Sequence, residues 1–558
     1  MEIPGVPGDL KLQMAAWNAL YEIRDFSSHV QQVEAFANGQ KTEITKLDKL
    51  TWQVKATGTV TVNYATFWDD VGPFSTQFNS DHAFINPAMI LLYVPDRRAE
   101  KCAISFIDMP GGWRMASALP FLSVQSSSAV GNQAEAPTYD ALADAPIEAS
   151  AFEQFTLHDL TPPVDVVIHG DNWKKHDVEN ALRKICAYEL KLMDGAPYDR
   201  YTFIFHVGKT AAGSGGGMEH ANSTAIFAPS DAALWNVSAH EFFHLWNVKR
   251  IRPATLEPVD FTREMYTRAL WFAEGVTNTY GSYTLVRTGL WGKQEFYQDL
   301  SNQVSELEAR PAEQWQSAEQ SSLDAWLEKY ALYTQPQRSV SYYTKGQVLG
   351  VLFDIIIRDR TDNQKSLDDV MRAMNTDFAK EGKFYRDSID VRLTAEKVCG
   401  CTLSDFFTKY VSGAEPLPYQ PVFALAGLEL RSHESIRPVL GFFAEHQPTG
   451  QLVIRGIDPD SPAVKTQLRT GDEILRWNNA DPPKRPERWA LGQKAGEGIL
   501  LHIKHPGAEK EEEVTLTLGE ARDKYFQVAD SPHATDREKH IREGLLRGTT
   551  APVTAKSQ

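Results

Sequence analysis

Cysteine is rare in this chain of 558 residues: only Cys102, Cys186, Cys399 and Cys401 are present. So few thiols exclude a disulfide framework, and the fold is expected not to depend on oxidation. The pair in "VCGCT" is a lone C-x-C with no second pair, so it reads as two small apolar residues rather than a metal site. Long hydrophobic runs are also missing. The most apolar stretch, "VLGVLFDIII", is short and broken by Asp354, which suits a buried helix and not a membrane span. No basic start followed by an apolar run opens the chain, so no signal peptide is visible and a soluble protein is expected, cytoplasmic or periplasmic. Basic charge is in deficit, with 57 Lys and Arg against 73 Asp and Glu. That balance argues against nucleic acid as a partner.

What is present is a large apolar and aromatic complement, 42% hydrophobic with 13 Trp, enough for several well-packed cores. A prior of roughly 150 residues per domain suggests three or four units. Residues 1–160 carry short alternating runs such as "LTWQVKATGTVTVNYATF", as expected of an N-terminal β domain. Within it, "PGGWRMASALPFL" and "EAPTYDALADAPIEA" read as loops of no legible purpose. From "DVVIHGDNW" the period changes, and "KKHDVENALRKICAYELKLMDG" and "YTFIFHV" predict a helix and a buried strand. Residues 161–425 are therefore expected to be mixed α/β and then largely helical. Residues 426–520 return to strands, and 521–558 form a polar tail. Thr535 and Glu538 have capping-box spacing there, which predicts one short helix.

Within the helical region, "VSAHEFFHLW" places His240, Glu241 and His244 among large apolar residues. Positions four apart on a helix point about 40° from each other, so both imidazoles can reach one ion. Zinc accepts such nitrogens, and Glu241 beside the first ligand can take a proton from water at the open position. A third ligand must come from downstream. Glu274 lies in the apolar "LWFAEG", where a carboxylate needs a compensating charge. Glu264 sits near the polar start of that helix, where acids stabilise the dipole. Glu274 is therefore the expected ligand and Glu264 a supporting or capping group. Lys249, Arg250 and Arg252 read as charges at a helix end making ion pairs.

The segments "HEFFHLWNVKRIRP" and "LWFAEG" resemble the glycyl aminopeptidase family of zinc metallopeptidases, itself similar in plan to the aminopeptidase N family. The resemblance extends to "YEIRDFSSHV", "GGGMEH", "YYTKG" and "LSDFFTKYVSGAEPLPY". It implies a multidomain α+β protein: an N-terminal β-sandwich-like domain, a thermolysin-like catalytic domain and a C-terminal PDZ-like domain. It also implies one zinc ion on His240, His244 and Glu274, with Glu241 as general base. "GGGMEH" looks like the family's substrate strand, which would make Gly217, Met218 and Glu219 substrate-binding, with Glu219 on the α-ammonium group. A glycine turn with a surface acid is the competing account. "YYTKG" matches at Tyr343 the family's oxyanion-stabilising tyrosine, with Tyr342 or plain packing as the alternative. "VLGFF" and "SPAVKTQLRTGDEILRWNN" resemble PDZ signatures, implying a peptide or chain-end ligand or a lid.

The expected activity is removal of small N-terminal residues, Gly or Ala, from peptides with a free amino terminus by metal-activated water attack. The rival readings are a zinc endopeptidase fed by the PDZ-like domain and a PDZ-type binding protein with an inert zinc domain. Relatives usually carry more chain ahead of the β domain, and "VCGCT" is unusual beside them.

Overall fold

The computed structural model describes all residues other than 19–20, 126–129, 212–214, 329–332, 334 and 552–558. The amino-terminal region is β-rich and made of three antiparallel sheets. In the first, Thr51–Thr66 is flanked by Glu2–Gln13 and Val30–Ala37. Trp52, Val54, Val60 and Val62 share one parity along that strand and are buried, because a period of two sends alternate side chains to one face. Leu10 and Leu12 stand opposite Val54 and Trp52 and complete the layer. In a second sheet, Ile147–Ser150 lies between His82–Ile85 and Arg114–Ser117.

The sheet that carries the site runs in the order Glu153–Leu157, Val164–Gly170, Tyr201–Val207, Ser223–Ala228, Gly216–Glu219. Its three inner strands are parallel, and both outer strands run antiparallel to their neighbours. The inner strands are buried almost throughout, as the continuous "VDVVIH" and "YTFIFHV" require of strands covered on both faces. Helix Lys175–Leu192 is the crossover between two of them. Gly216–Glu219 is the last strand of the sheet, beside the helix Leu234–Phe243.

The helical part follows. A π-helical turn Trp271–Val276 runs into helix Thr277–Arg287, and both pack on the long helix Tyr342–Arg360. A Cβ on Gly275 would lie 2.7 Å from Tyr342 O, and one on Gly346 would lie 2.8 Å from Gly275 Cα. The two helices therefore cross backbone to backbone, which only glycine permits. Asp354, the charge that interrupts the apolar run, accepts from Arg358 Nε at 3.1 Å, Leu367 N at 2.8 Å and Tyr283 OH at 3.1 Å. The helix is buried, and its carboxylate is fully partnered. Among the described residues no helix is long and apolar enough to cross a membrane.

The chain divides into two compact units, Met1–Leu430 with Val528–Gln558, and Arg431–Gln527. The second unit contains an antiparallel sheet in the order Phe442–His446, Leu452–Ile457, Glu473–Trp477, Gly498–Lys504, Glu512–Thr517. A short helix, Pro486–Ala490, accompanies it, and the unit has its own core of Leu452, Ile454, Ile474, Leu501 and Leu516. In the first unit, Thr535 and Glu538 make the reciprocal capping bonds that start helix Asp536–Arg547.

One expectation fails. Cys399 and Cys401 are joined by a disulfide, their Cα atoms 5.2 Å apart. Helix Asp387–Cys399 ends on Gly400 in the left-handed conformation, which folds the next residue back toward the helix end. Composition warns against a framework of disulfides, but one local bridge needs only that turn.

Candidate metal centre and peptide cleft

His240 and Glu241 lie in the last turn of helix Leu234–Phe243, and His244 is its C-terminal cap. Apolar Phe242, Phe243 and Trp246 pack inward and hold the helix rigid. His244 Nδ1 donates to the Asn247 carbonyl at 2.5 Å, which leaves the Nε2 lone pair facing the cleft. His244 Nε2 lies 2.9 Å from His240 Nε2 and 3.2 Å from Glu274 Oε2, and His240 Nε2 lies 3.5 Å from that same oxygen. Ligand atoms bound tetrahedrally at 2.0–2.1 Å stand about 3.3 Å apart. Three electron-rich atoms at such separations, nearly excluded from water, fit a divalent cation.

The electrostatics agree with that fit. Burial alone would lower the His244 imidazolium, but Glu274 beside it wins and pushes it up to about 10. Burial would raise the Glu274 carboxyl, yet His244 and His240 hold it well below the usual carboxylate range. Burial, with His244 beside it, lowers His240. Burial also raises Glu241 well above an ordinary carboxylic acid, and its Oε2 has no hydrogen-bond partner. Without a cation, the pocket must hold a proton in the ion's place.

Gly215, Gly216, Gly217 and Glu219 line the same cleft of about 450 Å³, with Tyr343, Asn236, Asn278 and Arg310. Strand alternation turns the Met218 side chain the other way, into a neighbouring cavity with Trp17 and Phe261. Tyr343 faces the cleft, its ring centroid 6.3 Å from that of His240. Tyr342 is buried against Tyr333. Glu264 is exposed in an irregular segment ahead of the helix, not on its first turn, and does not line the cleft.

Residues 233–349, which carry the histidines, Glu274 and Tyr343, match the family model for the M61 glycyl aminopeptidase, and residues 1–151 match that for the peptidase M61 N-terminal domain. These two segments carry the signature of the M61 glycyl aminopeptidase family. No curated protein matches it in sequence. The chain shares its fold with an aminopeptidase N family protein from Idiomarina loihiensis: TM-score 0.84, 23% identity, over 98% of this chain and 96% of that one. An M1 zinc metallopeptidase from Deinococcus radiodurans is more remote, with TM-score 0.45 and 12% identity over 74% of this chain and 88% of that one.

Two supports of the site escape a reading of the sequence. Asn247 Nδ2 donates to Phe272 O at 2.8 Å and Thr277 Oγ1 at 3.1 Å, tying the segment after the histidine helix to the turn that carries Glu274. Asp144, in a stretch that reads as an unassigned loop, is paired with His220 Nδ1 at 3.1 Å and accepts from Ala221 N at 2.8 Å and Lys249 Nζ at 2.9 Å. It anchors the chain directly after Glu219. Arg250 Nη1 donates to Ala221 O at 2.6 Å, and Arg252 pairs with Glu257. The three basic residues thus bind protein groups, as charges at a helix end are expected to.

Proposed function

We propose that the protein is a zinc-dependent aminopeptidase that removes small N-terminal residues from peptides. The observation that carries the proposal is the meeting, in one cleft, of His240, His244 and Glu274 with Glu241 and with a glycine-rich strand ending in Glu219. His240, His244 and Glu274 would hold the ion. When bound, zinc supplies a Lewis acid that polarises the scissile carbonyl and acidifies water.

The remaining steps belong to the chain. A peptide lies along Gly215–Gly217, where the absence of side chains lets backbone approach backbone. Glu219 accepts hydrogen bonds from the α-ammonium group and so selects a free amino terminus. Glu241 takes a proton from the attacking water and returns it to the departing amine, so the C–N bond breaks as a C–O bond forms. The Tyr343 hydroxyl donates to the oxygen that gains negative charge. The unit Arg431–Gln527 is read as a PDZ-like peptide-binding module; its antiparallel strand order with one short helix supports that reading.

Paired substrates test the proposal. Glycyl and alanyl substrates with free amino groups should be cleaved and their N-acetylated forms should not. Equal cleavage of both would make the protein an endopeptidase.

A further inference from the structure

Away from the cleft, three imidazoles and one carboxylate converge where two sheets face each other. His82 and Glu148 come from paired strands of one sheet, and His169 and His206 are register partners on neighbouring strands of the central sheet. All four are buried. Burying four such groups is costly unless each is partnered, yet His82 Nδ1, Glu148 Oε1, His169 Nε2 and His206 Nδ1 have no hydrogen-bond partner.

The surrounding bonds orient the nitrogens. Asp69 Oδ1 accepts from Gln77 Nε2 at 3.0 Å, so the amide oxygen of Gln77 faces His82 and accepts from its Nε2 at 3.0 Å. The remaining nitrogen, His82 Nδ1, faces Glu148 Oε1, 3.5 Å away. His169 Nδ1 lies 3.9 Å from that same oxygen, while its Nε2 faces the exposed Asp81 at 3.6 Å. His206 Nε2 bonds the other carboxylate oxygen at 3.0 Å. Two ring nitrogens and a carboxylate oxygen thus surround one point, their ligand atoms within 4.8 Å of one another. For His82, the Gln77 acceptor on the far nitrogen is the arrangement that fixes the tautomer of metal-binding histidines.

We propose that His82, Glu148 and His169 form a second divalent-cation site, separate from the cleft, that cross-links the two sheets, with His206 steadying Glu148. Two imidazoles and one carboxylate are a donor set of the zinc class. The His82 and His169 rings stack with centroids 4.4 Å apart and planes 4° from parallel, so a shared ion requires one to turn about its Cβ–Cγ bond. His169, with no hydrogen bond closer than its 3.6 Å and 3.9 Å contacts, is the less constrained.

The test is zinc stoichiometry in the full chain, stripped with chelator, incubated with Zn²⁺ alone and freed of excess by gel filtration. Wild type should retain two ions per chain, and H240N, H169N and H82N one each. Added zinc should raise the melting temperature of H240N but not that of an H240N variant that also carries H169N. Peptidase activity should survive in H169N, so failure of this site and failure of the aminopeptidase reading are distinct results. A single ion that H240N abolishes, or a second ion that survives both H169N and H82N, overturns the proposal.

Discussion

Gly217 lies against Glu241: a Cβ built on the glycine would collide with the carboxyl group, 2.5 Å from its Cδ. The glycine-rich strand and the candidate general base are therefore in backbone-to-side-chain contact. Gly217→Ala should displace Glu241 and lower kcat by about 100-fold or more while zinc content is unchanged. Steady-state kinetics beside metal analysis reads both.

Glu241→Gln keeps the shape and removes the base. Turnover should fall by roughly two to four orders of magnitude with zinc retained, whereas Glu274→Ala should lose the metal. Should Glu274→Ala keep full zinc while Glu264→Ala loses it, the ligand assignment reverses.

The crossing of Gly275 with Gly346 couples the Glu274 turn to the helix that bears Tyr343. Gly346→Ala forces overlap with backbone that has no room to give. It should cost about 1–3 kcal/mol of stability and weaken zinc binding together. Thermal unfolding and zinc titration of the same sample check the coupling; a destabilised protein with unaltered zinc affinity would break it.

Asp144 acts on Glu219 through His220 and Ala221. Burial opposes its ionisation, but Lys249 and His220 hold the carboxyl well below its usual range. Asp144→Asn loosens the strand end and should raise KM for substrates with a free amino group more than it lowers kcat. A pure fall in kcat would instead place its effect on the chemical step.

Glu148 predicts a pH dependence in metal-free protein. Burial would raise its carboxyl, but His206 and His82 bring it down to about 2, against about 4.3 for an unfolded glutamate. A depressed acid stabilises the fold fully above the unfolded value and loses that contribution as pH falls toward the folded one. Glu148→Gln should therefore cost on the order of 3 kcal/mol near neutral pH. The difference from wild type should shrink between about pH 4 and pH 2. Urea unfolding across that range measures it, and a difference independent of pH would contradict the assigned ionisation.

The elements that bring the site together were legible where chemistry and periodicity coincide. Histidines four apart on an apolar helix and a carboxylate in "LWFAEG" can be read because burying such groups without purpose is expensive. The inner strands can be read because covered strands are apolar on both faces. What stayed hidden depends on distance in the chain. Asp144 and Glu148 sit in "YDALADAPIEA", which looks like loop because neither carboxylate meets its partners until distant strands assemble. The π-helical turn at Trp271–Val276 has no local signature, and Gly275 within it packs on Gly346, far along the chain. The Cys399–Cys401 bridge depends on the backbone conformation of a single glycine.

Zinc-dependent recovery of activity tests the central claim most directly. Chelator-stripped protein, titrated with zinc and assayed on a free aminoacyl substrate, should regain hydrolysis in wild type and in His169→Asn but not in His244→Asn. Hydrolysis by His244→Asn at the wild-type rate, or by stripped wild type with no zinc added, would contradict the account.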